Sequence, residues 1–440
     1  MTEKDYFYFL ADVLEQCLQP GEVFTCFFEA EDSEFVRFNQ NRLRQAGNVR
    51  QRELHIDLIA GKRHAAETIL LSGGMADDRA RLDDVVRFLR RQRIALEDDP
   101  YLLYATEPCS TESVSTGTPL DARTAISEIL DAADGLDLVG LWASGTLYRG
   151  FASSLGQRNW YRQSSFHFDW SCYAHDDKAV KMQYAGFTWD PARLREKMQV
   201  ARAELALVGR AAKTLHPGRY RVYLAPPALH AILEVVAWGG FDLKSHRTLQ
   251  TPLIKMVRHE ARLSPQVTLH EHHAGGLAPQ FTASGFMKPE RVTLLERGVY
   301  RQCLVTPRSG MEYGEPVNAG SEFPESLEMA AGQLPESTVL EALGTGLYIN
   351  HLWYCNFSDR NDCRITGMTR YACFWVQDGV ITAPLNAMRF DESVYHLLGD
   401  KLIGLTAVRE LLLSADTYHQ RSTQSARLPG ALIDDLTLTL

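Results

Sequence analysis

No two cysteines of this 440-residue chain stand in a Cys-x-x-Cys spacing; the eight, at positions 17, 26, 109, 172, 303, 355, 363 and 373, are scattered. That scatter argues against a zinc ribbon or a disulfide framework and fits reduced thiols in a cytoplasm. Long apolar runs are missing too, and no stretch approaches the roughly 20 apolar residues needed to cross a bilayer. The opening segment, MTEKDYFYFLADVLEQC, sets acidic residues among its apolar ones and has no small-residue cleavage site, which excludes a signal peptide. Positive charge is in deficit: 46 Lys and Arg against 55 Asp and Glu give a net charge of -9. Nucleic acid is therefore not expected as the primary partner, because phosphate binding needs a basic surface. There is no P-loop, no Gly-x-Ser-x-Gly elbow and no recognisable Ser/His/Asp arrangement. Gly344-Thr345-Gly346 lacks the third glycine and the strand-before, helix-after setting of a dinucleotide loop, and reads as a turn.

What is present describes a globular chain, 45% hydrophobic and 23% charged, long enough for two domains. Tyr6, Phe9, Leu10, Val13, Leu14 and Cys17 recur at helical spacing and Pro20-Gly21 ends the helix. Strands are expected over 22–30, 35–38 and 52–59, with Ala60-Gly61-Lys62 as a hairpin turn into 64–71. Helices follow over 79–96 and 122–133, separated by a Ser/Thr/Pro-rich loop over 105–120, and two hairpin-like regions are expected over 138–155 and 164–186. A charged helix over 191–213 ends at Leu215-His216-Pro217-Gly218, the best domain boundary. The expected domains are residues 1–215 and 216–440. Beyond the boundary lie a strand over 220–224, a helix over 227–238, and strands over 267–271, 292–296, 299–305, 346–354, 371–376 and 432–440. The expected class is α+β, two domains with largely antiparallel sheets flanked by helices.

Residues 344–379 carry the most distinctive pattern: two apolar runs around a polar knot, SDRNDCRITGMTR. Buried strands that present such a knot would place a loop in a cavity. Asn356, Ser358, Asp359, Arg360, Arg364, Thr366 and Arg370 are the candidate residues for binding a substrate or partner. Arginine forks match carboxylates bidentately, whereas the alternative is a solvated loop held by surface ion pairs that contribute little each. His351, Cys355 and Cys363 are candidate metal ligands, since thiolates and imidazole suit zinc; buried free cysteines on a core strand are the competing reading. His230 and Glu234 stand four apart on a helix and could be half of a metal site or a plain surface pair. His270, His272 and His273 in LHEHH could ligate a metal or mark a solvated strand end.

From Gly218 onward the order of segments resembles the TldD/PmbA family, once called modulators of DNA gyrase and related to metallopeptidases. GRYRVYLAPPALHAILEVVAWGGFDLKS is similar to the family's strand and helix, and TASGFMKPERVTLLERGVYRQCLVTPRSGMEYG to its next block. GTGLYI, FSDR and FWVQDGVITAPLNAMRF resemble the region reading GDYSRGAAGFWVENG and the strand after it, and RSTQSARLPGALIDDLTL resembles the closing stretch. In the first half, LHIDLIAGKRHAAET is similar to a family hairpin.

In the TldD branch the resemblance implies a helical His-Glu-x-x-x-His that binds zinc, completed by a cysteine near the C-terminus; zinc chemistry needs such ligands and an open coordination position. Here the matching helix runs from Leu229 to Trp238 and has no such motif; Ala231 and Val235 fall near the expected histidine positions, and the closing RSTQSARLPG has no cysteine. The chain is thus similar to the TldE/PmbA branch. That implies a subunit of a cytoplasmic metallopeptidase system processing peptides or unfolded proteins, with no zinc of its own. The zinc would sit in a partner, a TldD-like homologue; homo-oligomerisation is the other assembly open. Alternatives are a self-sufficient metal-dependent hydrolase with a non-standard site, and a non-catalytic binding or scaffold protein. The knot, longer than the family's compact loop, suggests a distinct subgroup.

Overall fold

A computed structural model describes every residue except 116, 119, 176, 177 and 440. Parts of the expected 105–120 loop, of the 164–186 region and of the final strand therefore lie outside the described residues.

The first sheet takes seven strands: β1 (Val23–Asn39), β2 (Arg42–Ala60), β3 (Arg63–Leu70), β4 (Glu112–Val114), β5 (Asp137–Ser153), β6 (Arg158–His175) and β7 (Lys178–Gly186). Their order is β3-β2-β1-β5-β6-β4, with β7 also on β6, and all pairs are antiparallel except β4 with β6. Four helices cover it: α1 (Glu3–Gln16), α2 (Met75–Ala95), α3 (Ala122–Ala132) and α4 (Pro191–Val208). Thr2 begins α1 with a capping box to Asp5, satisfying two N–H groups that the first turn leaves open.

The segments expected as separate strands over 22–30 and 35–38 are one strand, β1. Its even-numbered side chains serve two cores. Phe24, Cys26, Phe28 and Ala30 pack with residues of α1 and α2, and Val36 and Phe38 with residues of α3 and α4. The acidic stretch between, Glu31-Asp32-Ser33-Glu34, looks like a break but is not one. Glu31 and Ser33 are buried on the opposite face, beneath a segment from the far end of the chain. The expected hairpin over 138–155 is likewise the single long strand β5.

The second sheet has eleven strands: β8 (Gly218–Leu224), β9 (Leu269–His272), β10 (Arg291–Glu296), β11 (Val299–Tyr300), β12 (Ser326–Met329), β13 (Gly346–Asp359), β14 (Arg364–Gln377), β15 (Val380–Pro384), β16 (Arg389–Ser393), β17 (Leu402–Leu413) and β18 (Ser425–Leu438). The order is β11-β10-β9-β12-β18-β16-β14-β13-β8, with β15 also on β14 and β17 also on β18, and a further β18–β8 pairing closes a ring of strands. Only β12–β18 and β13–β8 run parallel, so both sheets are mostly antiparallel and the class is α+β, as expected. The strand expected over 299–305 is cut to Val299–Tyr300. Helix α5 (Pro226–Gly240) lies against β13 and β18, burying Leu229, Ile232, Leu233 and Val236 in the core of this half.

The polar knot is not a loop. Strand β13 continues through Asp359 and β14 resumes at Arg364, so the knot is the tip of a β-hairpin with a four-residue turn. Bulges at Tyr354 (φ 59°) and Tyr371 (φ 61°) interrupt the pairing. Each extra residue re-aims the side chains beyond it.

Candidate functional site

Helix α5 turns its apolar positions inward, which leaves His230 and Glu234 together on the side facing the first sheet. His230 Nε2 lies 3.9 Å from Glu234 Oε1. Burial lowers the His230 pKa, with Glu234 opposing the shift, so the imidazole is neutral at physiological pH. The pair lines a cleft of about 220 Å³ between the two sheets. Asp169 and Gln183, paired neighbours on β6 and β7, form one wall; Ser414, Ala415, Gln424 and Ser425, at the ends of the β17–β18 connection, form another. Lys181 holds Asp169 at 2.8 Å.

On its other side Glu234 lines a second groove of about 340 Å³ with Trp238, Leu352, Trp353, Tyr354 and Cys355. Three of these aromatics face solvent: Trp238 is 62% exposed, Trp353 51% and Tyr354 79%. Exposed aromatics clustered beside a carboxylate form an apolar patch of the kind that marks an interaction surface.

Most of the knot's polar groups hold the hairpin itself. Asp359 accepts the N–H groups of Asn361 and Asp362 across the turn at 3.0 and 3.2 Å. Asn356 accepts the Phe357 N–H, and Ser358 Oγ donates weakly to the Arg364 carbonyl. Thr366 Oγ1 donates to the Phe390 carbonyl at 2.9 Å. Arg364 pairs with Asp391 at 3.1 Å, while Asp362 pairs with Lys255. Arg360 donates to the carbonyls of Trp238 (2.9 Å) and Gln250 (3.0 Å), and its guanidinium lies over the Trp238 and Phe357 rings. It thereby caps the kink where α5 departs from helical geometry at Trp238 and Gly239. Arg360→Ala should cost about 1–3 kcal/mol, two charge-assisted bonds to carbonyls being lost. Hydrogen exchange would report it as faster exchange over residues 358–364, and unchanged exchange there would refute the pin.

Arg370 differs from the other two arginines of the knot. It is exposed, has no carboxylate partner among the described residues, and stacks over Trp353 (4.7 Å) and Tyr371 (5.3 Å). Its guanidinium is held on aromatic faces beside the groove, and among the described residues its donors have no partner.

His351, Cys355 and Cys363 do not converge: they are absent from the metal-competent groups found among the described residues. Burial, with Lys181 nearby, pushes His351 down to about 3. Burial pushes the thiols of Cys355 and Cys363 up to about 12, Glu234 and Asp362 respectively adding to it. Both are protonated at neutral pH and poor metal ligands in that state. Of the LHEHH histidines, His272 pairs with Glu328 at 2.9 Å, and His273 is fully buried rather than at a solvated strand end. Sequence reasoning also passed over Glu392, His396 and Asp435, where His396 stands 3.1 and 3.4 Å from the two carboxylates. Arg364 and Lys401 flank that group and match its charge. Asp169 and Gln183 gave no sequence signal either, since only the packing of the two sheets brings them to α5.

Two helix-flanked sheets that meet over a cleft walled by one central helix define an α+β protein able to hold a ligand between its halves. Residues 217–440 match the PmbA/TldA metallopeptidase C-terminal domain, and the chain belongs to the TldD/PmbA family. Solved structures agree on the fold. A proposed modulator of a DNA gyrase from Thermotoga maritima superposes with a TM-score of 0.76 at 13% identity, covering 100% of both chains. TldE from Thermococcus kodakarensis gives 0.79 at 12% identity, over 99% of this chain and 100% of the other. A proposed modulator of DNA gyrase from Bacteroides thetaiotaomicron gives 0.74 at 14%, over 100% and 99%. A comparison with curated proteins found no match. Among the described residues, no helix is long and apolar enough to cross a membrane.

Proposed function

We propose that this chain is a TldE/PmbA-like subunit of a cytoplasmic metallopeptidase system, binding peptide or unfolded-protein substrate for a zinc-bearing TldD-like partner. Residues 1–215 and 216–440 would act as two domains, a division supported by each sheet drawing its strands from one side of that boundary.

The observation that carries the reading is the composition of the cleft. A catalytic zinc needs three protein ligands and an open position. Helix α5 offers one imidazole, His230, and one carboxylate, Glu234, with Ala231 and Val235 near the places where the resemblance puts histidines. The segments closing the cleft, Ser414-Ala415 and Gln424-Ser425, bring no thiolate. Asp169 on the facing wall is paired with Lys181 and does not converge with His230 and Glu234 into a metal-competent group among the described residues, so the residues present do not fit a catalytic zinc. What the cleft and its aromatic groove can do is bind: apolar walls for side chains, and Arg370 for a peptide carboxylate.

The test is co-expression with a homologue that carries His-Glu-x-x-x-His. The expected result is a stable complex that cleaves unfolded protein, in which His230→Ala of this chain leaves the partner's zinc content unchanged. Arg370→Ala should raise KM about tenfold to a hundredfold with little change in kcat, the loss of one charge-assisted contact. A chain that cleaves peptides alone, with zinc and activity lost together on His230→Ala, would refute the proposal. Failure to capture any such homologue would favour a scaffold role.

A further inference from the structure

Behind the cleft lies a buried group that the proposed function does not use. We propose that Glu271, His273 and Glu325 form a site for one divalent first-row cation, zinc or manganese, of structural rather than catalytic role. One ligand atom from each lies within 4.8 Å of the others. Glu271 lies in β9 one residue before its end, His273 opens the following 3-10 turn, and Glu325 immediately precedes β12, so the site would tie three segments together. Phe323, Pro324 and Leu327 of the last segment face the cleft, which puts the group directly behind its wall.

The hydrogen bonding leaves two buried acceptor atoms unpaired. Glu271 and His273 are 1% and 2% exposed. Glu271 Oε1 accepts the N–H groups of Ser326 (2.8 Å) and Glu325 (3.2 Å), which orients the carboxylate, while its Oε2 is buried with no hydrogen-bond partner. His273 Nε2 lies 3.3 Å from the Asn318 carbonyl, an acceptor, so Nε2 carries the proton. Nδ1 then presents a lone pair. It lies 3.2 Å from Glu271 Oε1, yet no hydrogen bond with acceptable geometry forms there. Two electron-rich atoms facing each other in a buried site repel unless something positive lies between them. A second proton on Nδ1 would supply the charge but would point at no acceptor.

Lys288, whose side chain is 1% exposed, bonds Glu325 Oε2 at 2.7 Å and neutralises one of the two carboxylates. The other negative charge remains. A cation bound by Nδ1 and one oxygen from each carboxylate would offset it and satisfy the open acceptors together. Imidazole with carboxylate oxygens suits zinc or manganese better than calcium, which prefers an all-oxygen shell. The burial of two of the three ligands keeps substrate from the site, which fits a structural role, and the inference does not depend on the proposed peptidase role.

The test uses the full chain, stripped with EDTA and titrated separately with zinc and manganese. Expected are one equivalent bound by elemental analysis and a rise in melting temperature of roughly 4 °C or more, since a ligand that binds only the folded state stabilises it. His273→Gln should abolish both effects, whereas His230→Gln should leave both intact. If stripped wild-type protein binds neither metal and melts unchanged, the site is refuted, a result that needs no variant to fold. Binding that is lost with His230→Gln but kept with His273→Gln would also refute it, and would place the metal in the cleft.

Discussion

Stability should fall by on the order of 3 kcal/mol as pH rises from about 4.5 to about 7 through one residue, Glu204, and Glu204→Gln should remove that fall. Glu204 lies on α4, and its only side-chain partner among the described residues is Asn350 of β13 at 3.4 Å, so it sits where the two halves meet. Burial raises its pKa to about 7, and the Asn350 bond opposes this weakly. The folded chain therefore keeps a proton that the unfolded chain releases near its ordinary value of 4.5. Its contribution is fully present below that value and is lost as pH climbs through the folded pKa. Other buried groups act in the opposite direction. His167 and His351 are held neutral, with burial pushing each down to about 3. The bond from Arg90 and its charge hold Glu22 down at about 2. These groups stabilise the fold above their unfolded pKa values and lose that contribution as pH drops. Denaturation of wild type and Glu204→Gln at several pH values isolates the residue, because the other groups cancel in the difference. A difference that stays flat between pH 5 and pH 8 would sink the assignment.

Asp78→Ala should destabilise the N-terminal half by roughly 3–5 kcal/mol, the range for leaving several buried donors without an acceptor. Asp78 is 1% exposed and accepts four bonds: from Tyr6 Oη (2.5 Å), Ser72 N–H (3.0 Å), Ser72 Oγ (3.0 Å) and Gly73 N–H (2.9 Å). Burial alone would raise its pKa, but these bonds outweigh it and the net shift is downward. The residue joins α1, the turn after β3 and the first turn of α2 at one point. Calorimetry is the measurement, with Ser72→Ala as a partial control that removes only one of the four. A loss below about 1 kcal/mol for Asp78→Ala would show that water can replace the carboxylate there.

The elements legible in the sequence are those whose pattern answers to one neighbour. Helix α1 has a single apolar face, and the β2–β3 hairpin turns at Ala60-Gly61-Lys62, where Gly61 takes φ 63°. Helix α5 was legible for the same reason, and with it the shared face of His230 and Glu234. Elements that serve two neighbours misled. Acidic residues interrupt β1 because its second face meets the connection between β17 and β18: Glu31 accepts the Arg421 N–H at 3.3 Å from 390 residues away. In the same way Ser165 on β6 accepts from the Arg421 side chain. The polar knot read as a loop because its charges are dense, yet Arg360, Arg364 and Asp362 each find a partner on another segment and the strands run on beneath them.

By itself the sequence determined the family, the α+β class, and the absence from α5 and the closing segment of a second histidine and a cysteine, because residue identity and periodic order are local properties of a chain. Only the tertiary structure decided what those residues face. It set Asp169 and Gln183 across from His230, left Arg370 as the knot arginine with free donors, and drew Glu271, His273 and Glu325 to one buried point. Those arrangements depend on how two sheets pack against each other, and packing is decided by side chains distant in the chain that share one volume from which water is excluded.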